Sequence, residues 1–281
     1  MPLPLRTPQA YDYPNLFTPE TPMSAVLKSS TSVRDRVSKE EWDVRVNLAA
    51  AYQVAAQYKW TDLIFTHFSA RVPGPEHHFL INPFGMMFDE ITASSLVKID
   101  REGKIIDDPV GMGVNQAGFV IHGCIHDARP EAQAVLHTHT RAGVAVSNMK
   151  EGLLPLSQHS LRFYSELTYH GYEGVALDMD ERTRLAGDLG PTSRAMILRN
   201  HGLLTLGTSI SEAIEFMYYL ECACQIQVDS LSVGREGVTL MTPDVIEKGR
   251  QQFNRPNRES ANKHWPALLR MLDRRGSNYM N

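Results

Sequence analysis

Apolar positions recur with two different periods along the chain, and together they predict a mixed α/β protein. A helical spacing starts after Ser38, where Ser38 and Glu41 have the separation of a capping box. Short apolar runs typical of strands follow at 63–72 and 79–82, and 97–106 indicates two more strands joined by a turn. The first half of the chain therefore predicts one helix followed by strands, the first two forming a hairpin-like pair.

The second half of the chain alternates helical and strand-like patterns. Helical spacing covers 117–127, 141–149, 181–189 and 209–234, and strand-like runs cover 134–139, 175–177 and 195–206. The remainder, 244–273, is mostly helical, although two prolines interrupt it. Because no segment repeats, we expect one α/β domain over 38–235 and a helical C-terminal extension over 236–281.

The first 37 residues predict an extended, proline-rich arm. Six of the 16 prolines lie within the first 22 residues, and proline lacks the backbone donor that helices and inner strands need. The whole chain of 281 residues is 42% hydrophobic and 21% charged. That balance excludes a disordered or fibrous protein.

Charge and hydropathy exclude two classes of partner. The formal net charge is −4, and the 28 Lys and Arg residues are scattered, so we expect no nucleic-acid partner. The apolar runs are far shorter than the roughly 20 residues of a membrane span, and the N-terminus does not resemble a secretory signal. We therefore expect a cytoplasmic protein with no membrane partner. Cys124, Cys222 and Cys224 are predicted to be buried thiols.

Two histidines on one predicted strand are the first indication of chemistry. His137 and His139 are separated by one residue, so their side chains point to the same face. His201 also follows an apolar run, and Gly202 permits a sharp turn beside it. Three neutral imidazoles with an open position suit a catalytic divalent metal better than a closed structural site. Histidines that satisfy hydrogen bonds at strand ends are the alternative.

Around these histidines the sequence resembles the class II aldolase and adducin head-domain family, from about Trp42 to Gly234. The order of matching segments carries the resemblance: 68–71, 81–85, 137–139 and 200–202. Within that family the chain looks most like the adducin branch, through segments 80–85, 91–98, 115–118, 152–155, 197–202 and 267–273.

The resemblance implies a three-layer α/β/α sandwich around a mainly antiparallel sheet, assembled as a homotetramer with sites at subunit interfaces. It also implies one divalent metal per chain, held by His137, His139 and His201. Zinc is favoured, and manganese, iron or cobalt are the other options. The family chemistry is reversible cleavage of a carbon–carbon bond next to a carbonyl, in which the cation stabilises developing negative charge on oxygen.

The chain departs from the sugar-phosphate aldolases at the position of a catalytic carboxylate, where it has Gly118. Gln116 and His122 flank this point, and either could orient water or substrate. A hydrogen-bonded helix histidine is the alternative for His122. The resemblance also aligns His159 with a tyrosine that donates a proton from a neighbouring subunit. Tyr279 occupies a tail position comparable to a mobile C-terminal tyrosine.

The phosphate-binding residues of those aldolases are also changed. His67 stands where those aldolases have an asparagine that binds the phosphate. Gln116 and Ala117 stand where they have two phosphate-binding serines. We therefore expect a small, non-phosphorylated substrate. The residues expected at the substrate end of the site are His67, Ser69, Arg71, Asn82 and Gly85. Arg71 could receive a carboxylate or tie down its own loop, and both interpretations stay open.

Three functions are compatible with these residues. The first is a metal-dependent lyase, of aldolase or decarboxylase type, acting on a small oxo or hydroxy acid. The second is a non-haem iron oxygenase on the same fold, because three histidines without a carboxylate suit iron as well as zinc. The third is a non-catalytic assembly protein like the adducins, although the chain ends at Asn281 without their neck and Lys-rich tail.

Overall fold

The computed structural model describes residues 32–164, 166–174, 181–253 and 263–281, and at its centre lies an eight-stranded sheet. In space the strands follow the order β4-β3-β2-β1-β5-β8-β7-β6. Their bounds are His67–Arg71 (β1), Phe79–Ile81 (β2), Val97–Ile99 (β3), Ile105–Asp107 (β4), Ala134–Thr138 (β5), Leu167–His170 (β6), Ala195–Leu198 (β7) and Gly202–Gly207 (β8). Neighbouring strands are antiparallel except β6 and β7, which confirms the predicted mainly antiparallel sheet.

Helices cover both faces of the sheet. Their bounds are Val33–Arg36 (α1), Lys39–Gln57 (α2), Gln116–Ala128 (α3), Arg141–Ser147 (α4), Glu181–Leu189 (α5), Ile210–Ser230 (α6), Pro243–Phe253 (α7) and His264–Arg274 (α8). Helices α2, α4 and α6 pack on one face, and α3 and α5 on the other. Within the described ranges no helix combines the length and the apolar character that a membrane crossing needs.

Alternation along the inner strands builds a core on each face. Leu136 and Ile197 pack in one core with residues of α2 and α6, whereas Val135 and Met196 pack in a second core with residues of α3 and α5. Successive strand residues point to opposite faces, so strands buried on both sides are apolar throughout. The predicted three-layer α/β/α sandwich is confirmed.

The long helices begin at the predicted capping residues. The Ser38 hydroxyl accepts a hydrogen bond from Glu41 N, and the Ser209 hydroxyl accepts one from Glu212 N, each over 3.1 Å. Each bond satisfies a backbone N–H that has no partner inside the first helical turn. Local sequence therefore determined where α2 and α6 start.

Two elements differ from the sequence prediction. Strand β1 begins at His67 rather than near residue 63, because Leu63 and Thr66 have φ values of 51° and 68° and form a turn instead. Strand β6 was not predicted. The strand predicted over 175–177 lies outside the described residues, as does most of the predicted N-terminal arm over 1–37.

The C-terminal region packs with the rest of the chain. Residues from Val33 to Asn281 form one compact unit. Trp265 and Leu272 of α8 are buried in the core on the α2 and α6 face. Helix α8 therefore extends that core.

The cysteines are free thiols in the structure. Cys124 and Cys224 are buried, and Cys222 is partly buried. Burial disfavours the thiolate and raises the pKa of Cys124 to about 12. The arrangement agrees with the prediction of buried thiols, apart from the partial exposure of Cys222.

Candidate metal centre

The sheet register brings three histidines together at one end of strands β5, β7 and β8. His137 lies near the end of β5, His139 follows that strand, and His201 lies in the turn between β7 and β8. Because β8 pairs with both β5 and β7, the end of β5 adjoins this turn. The ring centroids are 4.6 to 4.8 Å apart. One ring nitrogen of each histidine lies within 4.8 Å of the other two.

Hydrogen bonds outside the cluster fix which nitrogens face inward. The Nδ1 of His137 donates to the carbonyl oxygen of Leu203 over 3.0 Å, and the Nδ1 of His139 donates to the Asp62 carboxylate over 2.9 Å. In neutral rings both Nε2 atoms then carry lone pairs, and these two atoms lie 2.8 Å apart. Facing lone pairs repel unless a cation lies between them. The donor set therefore fits a divalent metal.

Burial keeps the rings of His137 and His201 free of extra protons. Burial lowers the pKa of His137 well below the usual range and lowers that of His201 to about 4. Metal ligands must be neutral imidazoles, so protons compete weakly with a metal at pH 7. The side chain of His139 is 25% exposed, which leaves the centre open to solvent on that side.

Asp62 is a functional residue that the sequence analysis missed. Its carboxylate accepts a hydrogen bond from the Nδ1 of His139 and so orients that ring. This arrangement is common around metal-binding histidines. Asp62 lies in the turn before β1, 77 residues from His139 in sequence. No local motif marks it, because only the fold brings the turn to the end of β5.

A second group of histidines lies beside the first, between β1 and α3. His67 is directly opposite His137 across the β1–β5 pair, and the two ring centroids are 5.3 Å apart. The Nδ1 of His67 lies 2.8 Å from the Nε2 of His122 on α3. The hydroxyl of Ser69 then lies 2.6 Å from His122 Nδ1 and 2.8 Å from the Nε2 of His126.

This group changes the interpretation of two predicted residues. Ser69 is 1% exposed and its hydroxyl lies between two imidazoles of α3, so a role in binding substrate stays a prediction. His122, predicted as a catalytic residue, is buried and has both ring nitrogens in hydrogen bonds. It is one turn from His126 on the same face of α3, which the sequence analysis did not single out.

His67 fills the space beside Gly118. A Cβ atom placed on Gly118 would lie 2.5 Å from the Cδ2 and 2.8 Å from the Nε2 of His67. The position where the sugar-phosphate aldolases have their carboxylate therefore has no room for a side chain while His67 is present. Gln116 begins α3, and its side chain lies outside the described part of the chain.

The close approach predicts the effect of Gly118→Ala. The added methyl group meets a buried ring between β1 and α3, so His67 must move and its bond to His122 must lengthen. We expect a loss of about 1–3 kcal/mol in the free energy of unfolding, measured by urea denaturation. Gly187→Ala, on the α5 helix with open space around it, is the control and should not destabilise the protein. Equal stability of the two variants would contradict the contact.

Arg71 and Asn82 are not at the metal centre. Arg71 is four residues beyond His67, about 13 Å along β1, where it donates to the carbonyl oxygen of His126 and stacks over Phe79. These contacts connect β1 to α3, and a role of Arg71 in binding a substrate carboxylate stays a prediction. The amide oxygen of Asn82 lies 2.8 Å from the buried hydroxyl of Tyr52, on the opposite face of the sheet. A role of Asn82 in binding substrate also stays a prediction.

Gly85 lies in the loop after β2 and has a φ of 116°, which favours glycine. The ring of its neighbour Phe84 lies 6.2 Å from Phe65, in the turn that carries Asp62. This places the loop near the solvent side of the centre. A role of Gly85 in binding substrate stays a prediction.

Neither His159 nor Tyr279 joins the three histidines. The ring of His159 packs against Tyr219 of α6, with centroids 5.6 Å apart. Tyr279 is 3% exposed and its hydroxyl donates to Asp273, while its backbone oxygen accepts a bond from Ala93 N. In this arrangement Tyr279 is buried and bonded away from the three histidines, and its catalytic role stays a prediction. A role of His159 in a neighbouring subunit stays a prediction.

The buried histidines predict a strong dependence of stability on pH in the metal-free protein. Burial lowers the pKa of His67 and of His126 to about 3, below the value of about 6.5 in an unfolded chain. The unfolded state therefore binds protons first as the pH falls. Stability from each such histidine is fully present above about pH 6.5 and is lost as the pH falls toward about 3.

We expect each of these histidines to contribute about 1.4 kcal/mol per pH unit within that window. Urea denaturation with a chelator present, between pH 7 and pH 5, measures the slope. The variant His126→Gln should remove the contribution of one histidine from it. An unchanged slope in that variant would show that His126 does not titrate on unfolding.

The sequence and the structure were both compared with those of known proteins, and both comparisons find aldolase-like relatives. The family model described as "Class II Aldolase and Adducin N-terminal domain" matches residues 46–228. A crystal structure of an aldolase II superfamily protein from Pseudomonas syringae is 56% identical, with a TM-score of 0.86, and the match covers 89% of this chain and 100% of that one. L-fuculose 1-phosphate aldolase from Glaciozyma antarctica is 30% identical, with a TM-score of 0.74, over 90% of this chain and 96% of the other.

Alpha-adducin from Rattus norvegicus is also similar, with 39% identity over 268 residues. The match covers 91% of this chain and 36% of the adducin. Aldolases and adducins therefore both resemble this chain along most of its length. Together with the family match over more than half of the residues, these similarities show that the chain belongs to the class II aldolase and adducin N-terminal domain family.

Proposed function

We propose that the protein is a divalent-metal-dependent lyase that cleaves a carbon–carbon bond next to a carbonyl group. The observation that carries this proposal is the facing pair of Nε2 lone pairs of His137 and His139, with His201 beside them. These three residues would hold one divalent cation, with zinc favoured. A bound cation of this kind supplies Lewis-acid polarisation of a substrate oxygen. Membership of the family supports aldolase-like lyase chemistry in general terms.

The substrate we propose is a small, non-phosphorylated oxo or hydroxy acid. Neighbouring oxygen atoms of such an acid suit a divalent cation. The residues at the positions of the aldolase phosphate site argue against a phosphorylated sugar as the substrate, because they already bond to other protein groups. His67 and Ser69 bond to other histidines, and Arg71 bonds to the backbone of α3. The related aldolase from Glaciozyma antarctica is named for a phosphorylated substrate, so we propose the same type of chemistry on a different substrate.

We also propose a homotetramer in which His159 acts at the site of a neighbouring subunit. This proposal rests on the family resemblance and on the position of His159 apart from the metal centre of its own chain. Sedimentation velocity tests the assembly. A monomer at micromolar concentration would exclude any role of His159 at another subunit.

The adducin similarity supports a second candidate function, a non-catalytic assembly module. A chain 39% identical to alpha-adducin can share the histidines without sharing an activity. The non-haem iron oxygenase remains a variant of the first proposal, because three neutral imidazoles also suit iron. The bound element and the consumption of dioxygen distinguish the lyase from the oxygenase.

One experiment separates these functions. The protein loaded with zinc, manganese, iron or cobalt is incubated with a panel of non-phosphorylated 4-hydroxy-2-oxo acids and their phosphorylated counterparts. Released aldehyde and consumed dioxygen are measured together. The lyase proposal expects metal-dependent release of aldehyde without loss of dioxygen, and no release by His201→Asn. Dioxygen consumption with iron alone would favour the oxygenase. Metal binding without turnover of any compound would favour the assembly module.

A further inference from the structure

Helix α6 packs behind the segment that carries two of the metal-binding histidines. These histidines alternate along the chain with Thr138 and Thr140, and the backbone of Thr140 is still extended, with a φ of −61° and a ψ of 146°. Alternate residues of an extended segment point to opposite faces, so the threonines point away from the histidine rings. The Thr138 hydroxyl donates to the sulfur of Met217 over 3.4 Å, and the Thr140 hydroxyl donates to the carboxylate of Glu221. Both partners lie on α6, one turn apart.

The Thr140 hydroxyl connects two elements of the fold. Its oxygen accepts a hydrogen bond from the backbone N–H of Gly143 over 3.2 Å, which caps the start of α4. Its single hydrogen is donated to Glu221. Glu221 therefore connects α6 to the turn between β5 and α4, and His139 lies in that turn.

His139 lies beyond the strand that holds His137. Strand β5 ends at Thr138, so its pairing with β8 fixes the backbone of His137 and stops one residue before His139. The Asp62 carboxylate orients the ring of His139. A ring that is bonded at Nδ1 keeps its Nε2 in place only when the backbone behind it is also fixed. The hydrogen bonds of Thr140, the next residue, provide that second constraint.

Burying the carboxylate of Glu221 costs free energy that an apolar residue would not cost. Glu221 is 4% exposed, and its second carboxylate oxygen accepts from the side chain of Gln225 over 2.9 Å. Burial raises the pKa of its carboxyl group, whereas the hydrogen bonds from Thr140 and Gln225 lower it. A leucine would fill a similar volume without desolvating a carboxylate. The bond to Thr140 is therefore what distinguishes Glu221 from an apolar core residue.

We propose that Glu221 is a positioning residue of the metal centre, which fixes the backbone of His139 through the hydroxyl of Thr140. The inference rests on the proposed metal-dependent function. Glu221 contacts neither the metal nor the substrate. It acts by holding the Nε2 of His139 at a fixed place relative to the other two ligand nitrogens, and so it raises the affinity of the centre for its metal.

A cobalt titration tests this role. With cobalt(II) as the probe, Glu221→Leu removes the acceptor of the Thr140 hydrogen bond. We expect the affinity to fall by about 10-fold, the lower end of the loss that outer-shell partners of a metal cause, and the visible absorption bands to shift. Glu221→Gln keeps an acceptor oxygen, so it should retain most of the affinity and the wild-type bands. Wild-type affinity and bands in Glu221→Leu would overturn the proposal.

The matched control is Gln227→Leu on the same helix. Gln227 is 1% exposed, donates to the backbone oxygen of Gly152 over 2.8 Å and accepts from Leu154 N over 2.7 Å. Its loss should lower the free energy of unfolding without changing the cobalt affinity or the absorption bands. An equal loss of cobalt affinity in Gln227→Leu and Glu221→Leu would make the effect one of general destabilisation and overturn the positioning role.

A double-mutant cycle tests whether Glu221 acts through Thr140. Thr140→Val keeps the branched shape and removes the hydroxyl, so it should shift the cobalt bands as Glu221→Leu does. In the Thr140→Val background, Glu221→Leu should cause no further loss of affinity. Additive losses would overturn the proposed route. If Glu221→Leu does not fold, wild-type bands in Thr140→Val alone would overturn it.

The wild-type titration separates this inference from the function on which it rests. Absence of cobalt binding in the wild-type protein would refute the metal-dependent function and, with it, the positioning role. If the wild-type protein binds one cobalt ion per chain and Glu221→Leu is indistinguishable from it, only the role of Glu221 is refuted.

Discussion

His201→Asn should abolish stoichiometric metal binding while leaving the fold intact. The substitution removes one of the three ring nitrogens that lie within 4.8 Å of one another. We expect the affinity for zinc to fall by more than about 100-fold, because loss of an outer-shell partner alone costs roughly 10- to 100-fold. Competition titration against a chromophoric chelator measures the affinity, and circular dichroism checks the fold.

The matched control for this variant is His77→Asn. His77 is exposed in the turn between β1 and β2, with a φ of 54° that asparagine tolerates. The His77→Asn variant should bind one zinc ion per chain with the wild-type affinity. Equal affinity of the His201 and His77 variants would mean that the histidine cluster does not bind the metal.

Arg45→Met should cause a large loss of stability. The side chain of Arg45 is fully buried, where it forms an ion pair with Glu41 over 3.0 Å and donates to the backbone oxygens of Ala93 and Leu96. Methionine fills the volume but leaves these carbonyls without donors and Glu41 with Lys98 as its remaining described ion-pair partner. Removing one partner of a buried ion pair costs about 3–5 kcal/mol. We expect a decrease of that size in the free energy of unfolding in urea.

Lys39→Met is the control for the change of charge. Lys39 forms an ion pair with Asp43 on the exposed surface of the same helix, over 3.3 Å. Such pairs contribute about 0.3–0.5 kcal/mol, so this variant should differ little from the wild type. If Arg45→Met were no less stable than Lys39→Met, the buried pair would not hold the 91–96 loop against α2.

Features that depend on a few neighbouring residues could be predicted from the sequence. The starts of α2 and α6 follow from Ser38 and Ser209, whose hydroxyls bond to backbone groups three residues away. The start of β1 could not be predicted, because Leu63 and Thr66 adopt a positive φ that their residue types disfavour. Strand β6 was not predicted because it is a short strand at the edge of the sheet. Its pairing with β7, and not its own sequence pattern, makes it a strand.

The candidate site also combines features that the sequence could predict with features that only the fold creates. His137 and His139 share a face because strand residues alternate, so their proximity follows from a spacing of two. The bond from Ser69 to His122 joins residues 53 positions apart and exists because α3 packs across β1. Asp62 reaches His139 through a turn that sequence patterns did not indicate. The resemblance to a family indicated the candidate metal ligands but could not show that His67 occupies the space beside Gly118.

The measurement that tests the central claim most directly is anomalous X-ray diffraction from crystals of protein purified without added metal or chelator. Data collected at the zinc, iron, cobalt and manganese absorption edges locate a bound metal and identify it. We expect one anomalous peak per chain, within bonding distance of ring nitrogens of His137, His139 and His201. No peak at these histidines, even after the crystals are soaked in each ion, would contradict the metal centre and the lyase function proposed from it.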